Sequence, residues 1–444
     1  MVRKKAWIFA LTLLILLCFS GCYGADIDEL YSLPQPQKEY LKLQELINDE
    51  LAAGCEYSAP TAGSRRQSVQ IVDLDGDGTG EALAFLRDRD LTPIICIYRF
   101  VSNNYQLAAS ITGDGSAIGR VEYADLNGDG VSEILTSWKT STELRLLKAY
   151  SILDWESAAV LSASCTDFQI CDMDMNGISD VVALNFEPGL GSVSVYTLDP
   201  DGEVTVSSAK TSVSLTTAER FRVGSIGVNQ PAVFVEGQLE ALEGEAFLTD
   251  IFARVDGEIK NISLDPATGD SLTKREFPIY CTDIDGDGIM DLPFAEKLLT
   301  KSQGSSEYFV FDWYNFDLKG ERALRCSTFH NFSDGWYYTL PTEWRQGISI
   351  RRDSSSPGER SVIFSATDSN TGKSTDLLTI FTLSDENRRD RAKLENRFVL
   401  LGSETVIYAA RLNTEGNLAP DKEQCQEVTG RFHLIVSEWI TGAL

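Results

Sequence analysis

The chain has 444 residues, with 66 acidic against 39 basic side chains, a formal net charge of -27 and a pI of about 4.5. Affinity for nucleic acid depends on Lys and Arg contacting phosphates, so this balance excludes a general nucleic-acid binder. The same charge opposes adsorption of the chain along an anionic membrane surface.

The N-terminus has the pattern of a secretion signal. Arg3, Lys4 and Lys5 precede an apolar run at 6–19, which is too short to span a bilayer and is typical of a signal-peptide core. The run ends in the letters FSGC, which resemble a bacterial lipobox with Cys22 as the lipid-modified residue. Ordinary secretion with a coincidental cysteine is the alternative. We expect a lipoprotein signal peptide at residues 1–21 and a chain anchored by Cys22 outside the bacterial cell membrane.

Two short segments follow the signal peptide. Residues 22–37 are polar, contain two prolines and are typical of a tether. Residues 38–54 have apolar residues at helical spacing, which predicts an amphipathic helix packed on the rim of the next domain. A partner-binding helix is the alternative. The apolar face consists of Leu43, Leu46, Ile47 and Leu51.

A nine-residue motif then occurs four times. We number its positions 1 to 9 and call the copies loop 1 (73–81), loop 2 (125–133), loop 3 (172–180) and loop 4 (283–291). Oxygen-bearing side chains stand at positions 1, 3, 5 and 9, as a short loop around a hard cation such as Ca²⁺ requires. Glycine stands at position 6 of every copy, where a backbone with positive φ is expected.

The motif therefore predicts up to four Ca²⁺ sites. Ligand charge is one determinant of affinity in such loops, so we expect loops 1 and 4, with four carboxylates each, to bind more tightly than loops 2 and 3. The candidate ligands are Asp73, Asp75, Asp77 and Glu81; Asp125, Asn127, Asp129 and Glu133; Asp172, Asp174, Asn176 and Asp180; and Asp283, Asp285, Asp287 and Asp291.

The residues around the loops exclude an EF-hand. An EF-hand loop ends in a bidentate acid at position 12, where this chain has Ala84, Thr136, Ala183 and Phe294. Apolar residues alternate before each loop, and a strand-like apolar run follows it. The predicted unit is therefore strand, cation loop, strand.

These loops resemble the FG-GAP/VCBS repeat, the blade of integrin-α-type β-propellers. The loop starts are 52, 47 and 111 residues apart, and the last spacing is about two repeats. The resemblance implies an all-β fold, a seven-bladed β-propeller over residues 65–444, with six or eight blades as alternatives. It also implies closure by an N-terminal strand that completes the last blade.

The blades are assigned in chain order. Loops 1, 2 and 3 mark the first three blades, residues 219–237 a fourth blade without metal, and loop 4 the fifth. The sixth blade is assigned to 329–344 and 361–366, and the seventh to 376–383, 404–412 and 431–440.

The cysteines do not suggest a disulfide framework. Cys18 lies in the signal and Cys22 at the lipid site, which leaves an odd number, seven. Cys96, Cys171 and Cys281 lie in strand patterns and favour buried thiols, while a pair between Cys165 and Cys171 stays open.

The sequence contains no pattern of a catalytic site. The two histidines, His330 and His433, have no neighbouring pattern of a base or metal ligand, and there is no phosphate loop or nucleophile elbow. The predicted function is therefore binding or adhesion to an extracellular protein or glycan. The alternatives are a polysaccharide-acting enzyme (glycosidase or lyase) and a structural component of an envelope assembly.

An aromatic cluster is the one candidate ligand platform. Flat amphipathic rings stack well on sugars and peptides. Filling of the sixth blade's core is the alternative, and it is favoured. The cluster consists of Trp336, Tyr337, Tyr338 and Trp344.

The lipid anchor is open to a direct test. Replacing Cys22 by Ala removes the acylated thiol, so we expect the variant to leave the membrane fraction and enter the medium. Fractionation followed by immunoblotting measures this. A variant that stays in the membrane fraction with its signal segment retained would contradict the lipoprotein prediction.

Overall fold

The structure, a computed structural model, describes residues 38–142, 144–186, 191–242, 245–298, 308–345, 347–367, 374–413 and 419–435. The predicted signal peptide, Cys22 and the tether lie outside these residues. Most of the described chain forms antiparallel strands, so the prediction of an all-β fold is confirmed.

The described strands form six sheets, which we number in chain order. Sheet 1 contains β1 (Glu56–Tyr57), β2 (Val69–Val72), β3 (Glu81–Arg87), β4 (Pro93–Val101) and β5 (Asn104–Thr112). Sheet 2 contains β6 (Ile118–Ala124), β7 (Glu133–Lys139), β8 (Arg145–Ser151) and β9 (Ala158–Cys165). Sheet 3 contains β10 (Asp167–Cys171), β11 (Asp180–Asn185), β12 (Ser192–Leu198) and β13 (Val204–Lys210).

The other three sheets are larger or less regular. Sheet 4 contains β14 (Leu215–Gly227), β15 (Gln230–Leu242), β16 (Glu245–Val255) and β17 (Glu258–Asn261). Sheet 5 contains β18 (Leu292–Lys297), β19 (Phe309–Phe316), β20 (Arg322–Asn331), β21 (Trp336–Thr339) and β27 (Phe432–Leu434). Sheet 6 contains β22 (Ile348–Asp353), β23 (Glu359–Thr367), β24 (Ser374–Leu383), β25 (Phe398–Gly402) and β26 (Ile407–Leu412).

In the described residues, three α-helices accompany the sheets. Helix α1 (Lys38–Ala52) lies beside β5, and its buried Leu43 and Ile47 join Cys96 and Tyr98 of sheet 1 in one cluster. Helices α2 (Arg388–Arg391) and α3 (Lys422–Gly430) are short. Short 3₁₀ turns lie at Leu153–Trp155 and Thr342–Trp344.

Each sheet packs its apolar side chains against the next sheet along the chain. Hydrophobic clusters join sheets 1 and 2, 2 and 3, 3 and 4, 4 and 5, and 5 and 6. Strand β3 illustrates why the apolar runs are continuous: Leu83 and Phe85 face sheet 2, while Ala82 and Ala84 lie on the opposite, α1 side. A strand that is covered on both faces needs apolar residues at every position.

The fourth sheet occupies the place predicted for a blade without metal. Strands β14 and β15 pair over most of their length and meet in a tight turn at Val228 and Asn229. The turn replaces the nine-residue loop, which is why residues 219–237 lack its acids.

The assignment of a sixth and a seventh blade is wrong. Residues 361–366, 376–383 and 407–412 lie together in sheet 6, while 322–331, 336–339 and 432–434 belong to sheet 5. The physical reason is that β20 and β21 pair with β18 and β19 to complete a four-stranded sheet. These strands are therefore not available to a separate blade. The described residues therefore contain six sheets.

The first and last strands also differ from the expected closure. Strand β1 pairs with β3 inside sheet 1, and β27 extends sheet 5 beyond β21. The expected N-terminal strand of the last blade is therefore not formed by β1. The last strand instead covers the edge of sheet 5, which removes an unpaired row of backbone groups.

The seven cysteines in the described part of the chain are free. Cys96 and Cys281 are buried as expected, whereas Cys171 is only partly buried. Cys165 and Cys171 are both free, so the pair left open by the sequence does not form here. Burial raises the pKa of Cys165 to about 12, which keeps this thiol neutral and unreactive.

The burial of His330 predicts how acid affects the stability of the fold. It is buried with its Nε2 2.9 Å from Thr328 Oγ1, and burial lowers its pKa to about 3. The unfolded chain binds this proton near pH 6.5, whereas the folded chain does so only near pH 3. The stabilising contribution is therefore complete above pH 6.5 and falls by up to about 1.4 kcal/mol per pH unit below it.

We expect His330→Gln to lose less stability than the parent chain between pH 6.5 and pH 4. Urea denaturation at several pH values measures the difference. His433→Gln is the comparison: this side chain is more exposed, and although burial also lowers the pKa of His433, we expect a smaller change from its replacement. Parallel losses in the parent chain and the His330 variant would contradict the assignment.

A candidate metal centre in four repeated loops

The loops stand where the sequence predicts them. Loop 1 joins β2 to β3, loop 2 joins β6 to β7, and loop 3 joins β10 to β11. Loop 4 leads into β18, but residues 279–281 before it do not form the expected strand. Only an isolated bridge between Thr282 and Asp291 closes that loop.

The position 1 carboxylate organises the backbone of each loop. Its Oδ2 accepts a hydrogen bond from the position 6 N–H at 3.0, 2.9, 2.8 and 2.8 Å in loops 1 to 4. The position 6 glycines have φ between 84° and 88°, as predicted. A side chain at this position would be strained whatever the surrounding space.

Position 4 has the same requirement, which the sequence reasoning missed. Gly76, Gly128 and Gly286 have φ of 72°, 80° and 80°, and Met175 has φ of 62°. Glycine stands at position 4 in three of the four copies, but Met175 at this position of loop 3 made the requirement less evident. Loop 3 therefore holds a non-glycine residue in the left-handed region.

The position 9 acid turns inward in every loop. Its carboxylate accepts the position 2 N–H at 2.9, 2.9, 2.8 and 3.2 Å. The position 2 side chain is buried in the core, which fixes that N–H. The acids are at most 1% exposed and are Glu81, Glu133, Asp180 and Asp291.

Two of these buried acids have an oxygen with no hydrogen-bond partner among the described residues. They are Glu133, at Oε1, and Asp291, at Oδ1. Burial, reinforced by the neighbouring loop acids, raises the pKa of each to about 7, and it also raises the pKa of Glu81 and of Asp180. A buried carboxylate oxygen without a partner is costly, and a bound cation supplies the missing interaction.

Carboxylates converge in three loops. One oxygen from each of positions 1, 3 and 9 lies within 4.8 Å of the others in loops 1, 3 and 4. In loop 2, Asn127 stands at position 3 and donates from Nδ2 to Asp129 at 3.1 Å. These oxygen donors could hold a hard divalent cation, and they offer nothing to a metal that prefers nitrogen or sulfur.

Position 5 has a different role in this structure. The Oδ1 atoms of Asp77, Asn176 and Asp287 accept the position 7 N–H at 2.7, 2.7 and 2.8 Å. These side chains lie outside the three carboxylate clusters. They shape the turn, and a ligand role would depend on their second oxygen.

Neighbouring loops are linked through their backbones. The position 8 N–H of loop 2 (Ser132) donates to Leu74 O of loop 1 at 2.7 Å, and that of loop 3 (Ser179) to Asp125 O at 3.4 Å. In loop 4, Met290 N donates at 2.8 Å to Ser225 O, next to the β14–β15 turn. Loops 1 to 3 thus form one row across sheets 1 to 3, and loop 4 is joined to the β14–β15 turn of sheet 4.

The predicted aromatic platform is largely inside the protein. Trp336 and Tyr338 are at most 1% exposed and lie between sheets 5 and 6, with Trp344 stacked on Tyr338. Tyr337 is buried on the other face and stacks on His433. This burial agrees with the alternative in which the rings fill the core.

One other acidic cavity places two carboxylates close together. A cavity of about 420 Å³ beside β24 and β26 contains Asp376 and Glu395. Arg351 donates to both oxygens of Asp376 at 2.7 and 2.6 Å, and Arg411 pairs with Glu395. Neither carboxylate of this pair is therefore available as a free general base.

No family model matches this chain, and no curated protein matches it. Within the described residues, no helix is long and apolar enough to cross a membrane. The class of site is defined by its own geometry: a repeated acidic loop with inward-facing carboxylates.

The strain at Met175 predicts a stabilising substitution. A left-handed L-residue costs about 1–2 kcal/mol, so Met175→Gly should raise the free energy of unfolding by about 0.5–1 kcal/mol. The matched change in loop 4, Gly286→Ala, has open space around the new Cβ and should lower it by about 1 kcal/mol. Urea denaturation in excess chelator measures both, and a destabilised Met175→Gly would contradict the strain.

Proposed function

We propose that this chain is a calcium-stabilised binding module of the integrin-type β-propeller class, anchored by Cys22 outside a bacterial cell membrane. The observation that carries the calcium part is the inward-facing position 9 acid of loops 2 and 4, whose buried second oxygen has no hydrogen-bond partner in the described chain. Closure of the six sheets into a ring belongs to the proposal, and the packing of each sheet on the next supports it.

Calcium fits the loops better than magnesium. Ca²⁺ accepts six to eight oxygen ligands in flexible geometry, whereas Mg²⁺ requires a tight octahedron and retains several waters. Each loop offers carboxylate or amide oxygens from four positions and has both turning residues, at positions 4 and 6, already in place. The backbone therefore needs little rearrangement to close on a large cation.

The first effect of bound calcium would be to stabilise the fold, and any effect on ligand binding would follow from that. Loops 1 to 3 are hydrogen-bonded to one another and loop 4 to the β14–β15 turn, so a cation that fixes one loop also restrains the adjacent sheet. The sheets would then form a rigid array, and the residues in their exposed loops could differ without loss of the fold. We infer that the array binds an extracellular protein or glycan through its exposed loops, as expected of a scaffold whose described residues form no catalytic constellation.

Chelation tests the calcium part of this function. Ligands that bind only the folded chain stabilise it by about 2.7 kcal/mol per site at a hundredfold excess over Kd. We expect excess chelator to lower the Tm of the domain, Ca²⁺ to restore it and Mg²⁺ to restore it poorly. Differential scanning calorimetry, with metal analysis of the purified protein, measures this.

Glu133→Gln provides the matched variant. The amide cannot repel the other loop acids, so in chelator the variant should equal or exceed the parent chain in stability, while its response to Ca²⁺ should be smaller. Glu156→Gln, at an exposed acid outside the loops, is the control. An identical melting curve with and without chelator, in protein found to contain no metal, would contradict the proposal. Glycan and protein arrays probed with and without Ca²⁺ test the binding function.

A further inference from the structure

The sheets that contain loops share a common register, which allows equivalent residues to be identified. In each of sheets 1, 2, 3 and 5, the residue directly after the loop pairs with a tyrosine on the next strand. The pairs are Ala82–Tyr98, Ile134–Tyr150, Val181–Tyr196 and Leu292–Tyr314. These tyrosines therefore occupy one structural position.

Sheets 1, 2 and 5 also share a β-bulge beside that tyrosine. In sheet 5, Trp313 pairs with Cys326 and Tyr314 pairs with Leu324, so Arg325 has no strand partner. The same shift leaves Ala108 unpaired in sheet 1 and Val160 unpaired in sheet 2. A bulge redirects the side chain of the extra residue, and only sheet 5 of these three has an arginine there.

Arg325 reaches the acids of loop 4. Its Nη2 donates to Asp287 Oδ2 at 2.6 Å and lies 3.3 Å from Asp285 Oδ2. Asp285 belongs to the carboxylate cluster of this loop, together with Asp283 and Asp291. The guanidinium is therefore bound to a carboxylate that a metal ion in this loop would need as a ligand.

The arginine changes the charge comparison among the loops. Loop 4 has four carboxylates and one closely paired guanidinium, which leaves the same net charge as the three carboxylates of loop 2 or loop 3. In loop 1 the comparable contact is weaker, because Arg99 Nη2 lies 4.0 Å from Asp75 Oδ2 and its guanidinium lies over the ring of Trp155. A cation entering loop 4 is repelled by Arg325 and competes with it for Asp285 and Asp287.

We propose that Arg325 is an internal cation of loop 4, which keeps this loop free of calcium at concentrations that fill the other three. The inference rests on the proposed role of the loops as calcium sites. It reverses the expected calcium affinity of loop 4, which ligand charge alone places among the tightest-binding loops. Filling of loop 4 requires Arg325 to move into solvent, and its side chain is already 39% exposed.

The test is a calorimetric Ca²⁺ titration of the soluble mature chain. Arg325→Ala installs the residue of the equivalent bulge in sheet 1, and we expect it to tighten one site by tenfold or more. Adding Asp283→Asn to that variant should remove the gained site. Arg322→Ala is the matched control, because Arg322 lies on the same strand with its guanidinium over Phe294 and Tyr314.

The outcomes separate this inference from the proposed function. If Asp73→Asn, Asp125→Asn and Asp172→Asn each remove a site while Arg325→Ala changes nothing, the inference is overturned and the calcium loops stand. If Asp283→Asn alone removes one of the tight sites of the parent chain, the inference is also overturned. Absence of Ca²⁺ binding in the parent chain and in Arg325→Ala would overturn both. Arg325→Gln replaces Arg325→Ala should the alanine variant fold poorly.

Discussion

The hydrogen bond from the position 2 N–H to the position 9 carboxylate is the interaction on which the loops depend. Because the position 2 side chain is anchored in the core, its N–H holds the acid almost completely out of water. One oxygen is thereby satisfied. In Glu133 and Asp291 the other has no hydrogen-bond partner in the described chain, whereas in Asp180 it accepts from Thr197 Oγ1. An isolated buried charge of this kind is unfavourable, so the geometry that positions the acid also creates the need for a positive partner.

Acids in this protein have two kinds of positive partner. In the loops the oxygen donors are arranged for a bound cation, and beside loop 4 Arg325 pairs with Asp285 and Asp287. In sheet 4, where the loop is replaced by a turn, the fully buried Glu236 lies 3.4 Å from Arg275 Nη2 and 3.6 Å from Arg220 Nη1, and it accepts from Cys281 N at 2.7 Å. A buried acid is thus paired with arginine where no metal loop exists. The pair joins the segment before loop 4 to sheet 4. A buried acid therefore needs a positive partner in sheet 4 too, although this sheet lacks the metal loop.

Much of the site could be predicted because its determinants are local. A glycine at position 6 and acids at positions 1, 3, 5 and 9 follow from short-range geometry, and the strands around loops 1 to 3 follow from alternating apolar residues. Position 4 was missed because Met175 occupies a conformation that side chains rarely adopt. The count of sheets could not be read after residue 300, because strands there are paired by long-range contacts. Strand β27 joins β21 from about a hundred residues further along the chain.

The sequence by itself determined the repeated loop, its oxygen donors and the all-β class, since each depends on residues a few positions apart. Only the tertiary structure decided which charges meet. The burial of Glu133 and Asp291 depends on the core beneath position 2, and the approach of Arg325 depends on a bulge in a strand that begins thirty-one residues after loop 4. Electrostatic interactions act through space and are strongest where water is excluded, so their strength is set by packing and cannot be read from the order of the residues.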